Sequence, residues 1–191
     1  MDSIIDELMK QVASGDNLSA ISQAVGGDPN AVKSALGMGM PLILGAMAKS
    51  TSNSGGADML TNMLSQAGGS NPMDNLSGFL GSPAAAGGSG LVSSLLGSQM
   101  GGIQNAIAQK TGLPPEIVGK ILAIAAPIVI SQVSKMFMGG NMDQKGLTSL
   151  LGDQSKMAMQ ASPEISAIAQ QVLGGKVDSG GIMGMIKKFL K

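Results

Sequence analysis

One phrase occurs twice in this chain, 86 positions apart, and it restricts the possible folds more than any other feature of the sequence. Ala20 to Lys49 lies over Ala106 to Lys135. The identical pairs are Ala20 with Ala106, Ile21 with Ile107, Gln23 with Gln109, Gly26 with Gly112, Pro29 with Pro115, Val32 with Val118, Pro41 with Pro127 and Lys49 with Lys135. Self-similarity at a fixed shift marks a repeated supersecondary unit that buries its apolar face against a neighbour. The unit begins with a helix that carries Ile21, Ala24 and Val25, or Ile107 and its neighbours, at spacings that share one face. Gly26 and Gly112 are placed to end that helix, because glycine takes the left-handed conformation of a C-terminal cap at little cost. Pro29 and Pro115 start a second helix, where the missing N–H would have no partner anyway, and Asp28 is placed to cap it. Pro41 and Pro127 lie about twelve residues inside this second, longer helix and predict a bend there. The residues four positions earlier, Gly37 and Ala123, are small enough to ease the crowding.

The matching continues weakly, with one residue inserted, so that Leu60, Thr61 and Leu64 align with Leu147, Thr148 and Leu151. Gly90 to Gly97 also resembles Gly146 to Gly152, and both read as short helical turns that end in glycine. Composition agrees with an all-α chain: sixteen Met and abundant Ala, Leu and Ile stand against three aromatic residues, Phe79, Phe137 and Phe189. The expected architecture is therefore all-α, with internally duplicated helix-turn-helix pairs forming a small bundle joined by Gly/Ser-rich linkers. Its divisions are an N-terminal helix with the first helix pair over 1–50 and a Gly/Ser-rich segment with short helices over 51–102. The second helix pair follows over 103–152, and C-terminal helices over 153–191. Ser50 to Ala57 and Gly81 to Gly90 read as flexible linkers.

What the chain lacks limits its chemistry. There is no His, Cys, Trp, Tyr or Arg. Without imidazole, acid–base catalysis would have to rest on a shifted carboxylate or lysine, and without thiol there is no sulfur nucleophile and no thiolate ligand. The carboxylates are dispersed, Asp6 and Glu7 suit a first helical turn, and Ser93 and Ser94 lie in a glycine-bounded phrase with no base at hand. The expectation is a protein that is not an enzyme and uses no cofactor. Twelve lysines balance twelve acids, so no charge term favours nucleic acid, and the chain has no arginine and only three aromatic residues with which to read it.

The first helix is acidic where a secretion signal would be basic. The longest uncharged apolar run, Ile121 to Ile130, has ten residues where a transmembrane helix needs about 20. These features imply a cytoplasmic chain without a transmembrane segment, and Ile121 to Ile130 as part of a buried helix.

Met-x-Met occurs four times, at Met38 and Met40, Met136 and Met138, Met157 and Met159, and Met183 and Met185. Thioethers suit Cu(I), but pairs set among Gly and Ala in apolar helices read first as core or interface filler. The terminal helices are the foremost interaction candidates. Ile4, Ile5, Leu8, Met9 and Val12 form one stripe opposite Asp2, Asp6, Glu7 and Lys10. At the other end Ile182, Met185, Ile186 and Phe189 form an apolar sector flanked by Lys187, Lys188 and Lys191. Either stripe would pack within the chain or against another molecule, and the basic end would suit an anionic membrane surface.

Several of these phrases also resemble a known family. They are Leu91-Val92-Ser93-Ser94-Leu95-Leu96-Gly97, the run from Ala106 to Glu116 with Leu122 and Ala126-Pro127, and Gly146-Leu147-Thr148-Ser149-Leu150-Leu151-Gly152. Together they resemble the bacterial family called domain of unknown function 937, the YidB-like proteins. The resemblance implies an all-helical fold and no established activity. It also implies a terminal glycine-rich stretch like a calcium loop, but here Gly174 to Gly181 keeps only Asp178, too few carboxylates for calcium. The functional expectation is a non-enzymatic interaction or self-assembly protein, a homo-oligomer or the partner of another protein, since Met-rich faces re-pack against varied partners. Peripheral membrane binding through the C-terminal helix and Cu(I) binding are the alternatives.

Overall fold

The computed structural model describes residues 4–51, 55–67, 72–139, 144–161 and 163–172. Among these residues there are ten α-helices and no strand, as the composition implied. Gly146 to Gly152 is not a short turn that ends in glycine, since one helix runs from Gln144 through Gly152 to Ala161. The prediction is clearest at the glycine-proline turns. The second helix, α2 (Gly15–Val25), follows α1 (Ile4–Val12) and stops at Gly26, whose φ of 77° is left-handed. The N–H groups of Gly26 and Gly27 both donate to the carbonyl of Ser22, at 2.9 and 3.1 Å, closing the helix. Its later counterpart, α7 (Met100–Thr111), stops at Gly112 with φ 73°, and the Gly112 N–H donates to Ala108 at 2.8 Å. A side chain at either glycine would meet its own backbone unfavourably.

Both turns lead into the longest helices, α3 (Pro29–Thr51) and α8 (Pro115–Gly139). Asp28 caps α3 as expected: its Oδ1 accepts from the N–H of Asn30 at 2.9 Å and of Ala31 at 3.2 Å. Pro114 has no such side chain, and only its carbonyl accepts, from Ile117 and Val118 at 3.0 and 3.1 Å. The helices continue past Pro41 and Pro127 and pack against each other. Gly39 makes the approach close, because a Cβ placed there would lie 2.8 Å from Cδ2 of Leu122.

The remaining helices surround this pair. α1 packs on α3, with Ile5, Leu8 and Val12 buried. α4 (Gly56–Ala67) lies against α8 and α3, and α9 (Gln144–Ala161) lies against α3. Their inward leucines, Leu60 and Leu64 and then Leu147 and Leu151, are fully buried. Buried Ser134 on α8 ties the layers together by donating to the carbonyl of Leu64 at 2.7 Å. α5 (Leu76–Leu80) leads to α6 (Pro83–Leu96), which covers α8, and α10 (Pro163–Val172) packs on α9 and α3.

Three further sequence expectations require correction. Gly81 to Gly90 is not a linker: Pro83 opens α6, and the helix runs through Gly87, Gly88 and Gly90. Glycine disfavours a helix by about 1 kcal/mol relative to alanine. Here packing overrides that preference, since Gly88 sits so close to α8 that a Cβ would overlap the carbonyl oxygen of Ala123. The second expected linker, Ser50 to Ala57, is helical at both edges, where α3 reaches Thr51 and α4 begins at Gly56. Third, Ala24 does not share the inward face of α2. It is exposed, and Ser22 is buried beside Ile21 and Val25.

Ile121 to Ile130 is buried along its length, with Pro127 half-buried. The helices around it are longer than that apolar run suggested. α3, with 23 residues, and α8, with 25, are each long and apolar enough to cross a membrane, while 72% of the most apolar stretch of each is buried inside the fold. In α8 the apolar run is flanked by Glu116 and Lys120 before it and Lys135 after it.

Candidate functional site

A concavity forms where two helices end together. The last turns of α3 and α6 and the 3-10 turn that follows α6 (Gly97–Gln99) enclose a cleft of about 240 Å³. Its walls are Ala46, Lys49 and Ser50 from α3, Ser94, Leu95 and Leu96 from α6, and Gly97, Ser98 and Gln99. α3 brings Lys49 to the rim because its inward positions there are taken by buried Ala46 and Met47. On α6, Val92 and Leu96 face the core, which leaves Ser94 and half-buried Leu95 on the cleft side.

A narrow extension shares Ser50, Ser94 and Leu95 and continues to Gly56, Met59 and Leu60 at the start of α4. The two form one groove, polar at Lys49 and Gln99 and apolar at Met59, which is 50% exposed. Three hydroxyls, one amide and one ammonium line its larger end, with no carboxylate among them. Such a surface supplies hydrogen bonds and a single positive charge.

The sequence-derived candidates fall in different places. Leu8 is 1% exposed, so the α1 stripe is committed to this chain's own core and does not present Leu8 to a partner. Ile4 begins the same helix. Ile182, Met185, Ile186 and Phe189 lie outside the described residues, as does the Gly174–Gly181 stretch. Gly26 and Gly112, with Pro29 and Pro115, occupy the structural positions expected of them, and Pro41 and Pro127 lie inside their helices. Of the methionine pairs, Met38 and Met40 are buried core residues. By contrast, Met138 and Met157 are 49% and 41% exposed, so filling the core does not account for them. Among the described residues no group of three or more acids is placed to hold a metal ion.

The cleft itself escaped sequence reasoning. Lys49 was visible as one end of the repeated phrase, and Ser94 as part of the Leu91 to Gly97 phrase. Nothing in their spacing shows that α3 and α6 finish side by side.

A family model described as "Bacterial protein of unknown function (DUF937)" matches residues 6–136. None of the curated proteins and none of the solved structures compared with the chain matches it. The matched stretch runs from α1 through most of α8 and includes both glycine-proline turns, both long helices and the whole groove. With more than half of its length covered, this chain belongs to the DUF937 family of bacterial proteins.

Proposed function

We propose that this protein is a non-catalytic interaction module that self-associates, its groove receiving a segment of a second copy. The observation that carries the reading is the groove, with half-exposed Met59 at one end and Lys49 among hydroxyls at the other. A methionine side chain has three rotatable bonds and adapts to the surface it meets. The acidic, exposed edge of α1 at Asp6 and Glu7 complements the charge of Lys49. A formal net charge of zero leaves little repulsion between copies. Size-exclusion chromatography with light scattering across a hundredfold concentration range tests the reading. A dimer or larger species is expected, weakened by Met59→Lys. A monomer at every concentration would overturn it.

We further infer that the core is a duplicated unit, each half contributing a glycine-stopped helix, a proline-started long helix and a covering helix. The reciprocal packing supports this: α4 of the first half lies on α8 of the second, and α9 of the second lies on α3 of the first. The turns also meet, since Gly27 stands against Leu113, which occupies its position in the other half. A second functional reading, membrane-surface binding, rests on the sequence of Ile182 to Lys191, where an apolar sector is flanked by three lysines. Flotation with anionic liposomes that is unchanged after deletion of this segment would remove that reading.

A further inference from the structure

We propose that the first half of α6, Pro83 to Gly90, is a strap that releases from α8 while the rest of the fold stays closed, with its pivot between Gly90 and Leu91. Helix α6 has two unlike halves. From Leu91 onward it is anchored by Val92 and Leu96, both buried, with Leu91 and Leu95 half-buried against the core. From Pro83 to Gly90 its sequence is Pro-Ala-Ala-Ala-Gly-Gly-Ser-Gly, three glycines in eight residues and no large apolar side chain.

The start of the helix is also weak. Ser82 occupies the N-cap position but makes no side-chain capping bond, and its hydroxyl donates backward to the carbonyl of Phe79 at 2.8 Å. The first N–H groups of α6 therefore lack the partner that a capping side chain supplies.

At Gly88 this half-helix meets α8 through backbone. Gly88 abuts the carbonyl of Ala123. Ala123 stands four residues before Pro127, whose nitrogen has no hydrogen to donate, so the usual intrahelical bond to that carbonyl is missing. A C–H of Gly88 is the group pressed against the oxygen, and such contacts are much weaker than an N–H bond. Release of the strap lets water bond the same carbonyl fully, which favours opening. Segments with little apolar side chain to bury and a costly helical conformation are those that open below the global unfolding transition. The strap does not depend on self-association, because every group in it belongs to one chain.

Native-state amide hydrogen exchange on the full chain, read by mass spectrometry, tests the proposal. Amides 84–90 are expected to exchange at least tenfold faster than those of Val92 to Leu96 and of α8. Gly90 has no atom within 4 Å of an added Cβ, so Gly90→Ala should slow exchange of 84–90 about fivefold through helix propensity alone. Gly88→Ala forces a Cβ into the Ala123 carbonyl and should speed exchange in the same stretch. Equal protection of 84–90 and α8 in the unmodified protein, or no slowing by Gly90→Ala, would overturn it.

Discussion

The two long helices do the same work with different materials. Helix α3 fills the centre with Met38, Met40, Met47 and two glycines, Gly39 and Gly45, beside Val32, Leu36, Leu42, Ile43 and Leu44. Helix α8 fills it with Ile121, Ile124, Ile128, Val129, Ile130 and Val133. Branched side chains are held in few rotamers, whereas methionine re-packs readily. Their proline breaks are covered differently as well. Behind Pro41, Gly37 faces the flexible end of Met9, with an added Cβ 3.7 Å from its Cε, while behind Pro127 the Ala123 carbonyl meets the backbone of Gly88. The comparison teaches that a proline inside a core helix needs a neighbour over the gap, and that a mobile thioether and a bare backbone can both serve. It also implies that α8 is the stiffer half of the core and α3 the more adaptable.

The largest expected effect tests that difference directly. Leu122 and Leu36 are both fully buried, and truncation of either to alanine should cost about 2–5 kcal/mol. If α3 is the adaptable partner, the methionines near Leu36 relax into the space it vacates. Leu122→Ala should then be the costlier change by about 1 kcal/mol in urea denaturation. Equal losses would end the distinction between the halves.

A smaller effect separates the two helix starts. Asp28→Ala removes the acceptor for the N–H groups of Asn30 and Ala31 and should destabilise the protein by about 1 kcal/mol. Pro114→Ala removes no side-chain cap and should fall well short of that. Thermal melts of both variants, with Asp28→Asn as a control that retains a capping oxygen, resolve the difference.

The smallest effect has the opposite sign. Ser22 and Ala108 are both buried, and each accepts the N–H of its capping glycine, but the Ser22 hydroxyl has no hydrogen-bond partner. A buried polar group left unpaired carries a desolvation cost, so Ser22→Ala should be neutral or stabilising by up to about 1 kcal/mol. A clear loss of stability would mean that the hydroxyl is paired in solution.

Legibility in the sequence followed the range of the physical signal. Gly26, Gly112, Pro29, Pro115 and Asp28 were readable because a cap depends on residues within one turn of it. Ala24 was misplaced because two positions, Ser22 and Ala24, flank the Ile21 and Val25 face almost equally well. Only the packing of α2 on its neighbours decides between them, and it buries the serine. Leu8 was identified as part of an apolar stripe, yet the stripe alone does not say what covers it, and α3 does.

By itself, the order of residues determined that this chain is helical, where its two glycine-stopped helices end and its two long helices begin, and that its chemistry excludes thiols and imidazoles. Those are consequences of side-chain identity and of backbone preferences that act over a few residues. Tertiary structure decided that a glycine-rich stretch becomes α6, that two helices long enough for a membrane are mostly buried in each other and their neighbours, and that Lys49 and Ser94 share one groove. Each of these depends on surfaces distant in sequence: a backbone with no side chain in the way can approach another helix closely, and only the folded chain brings that helix within reach.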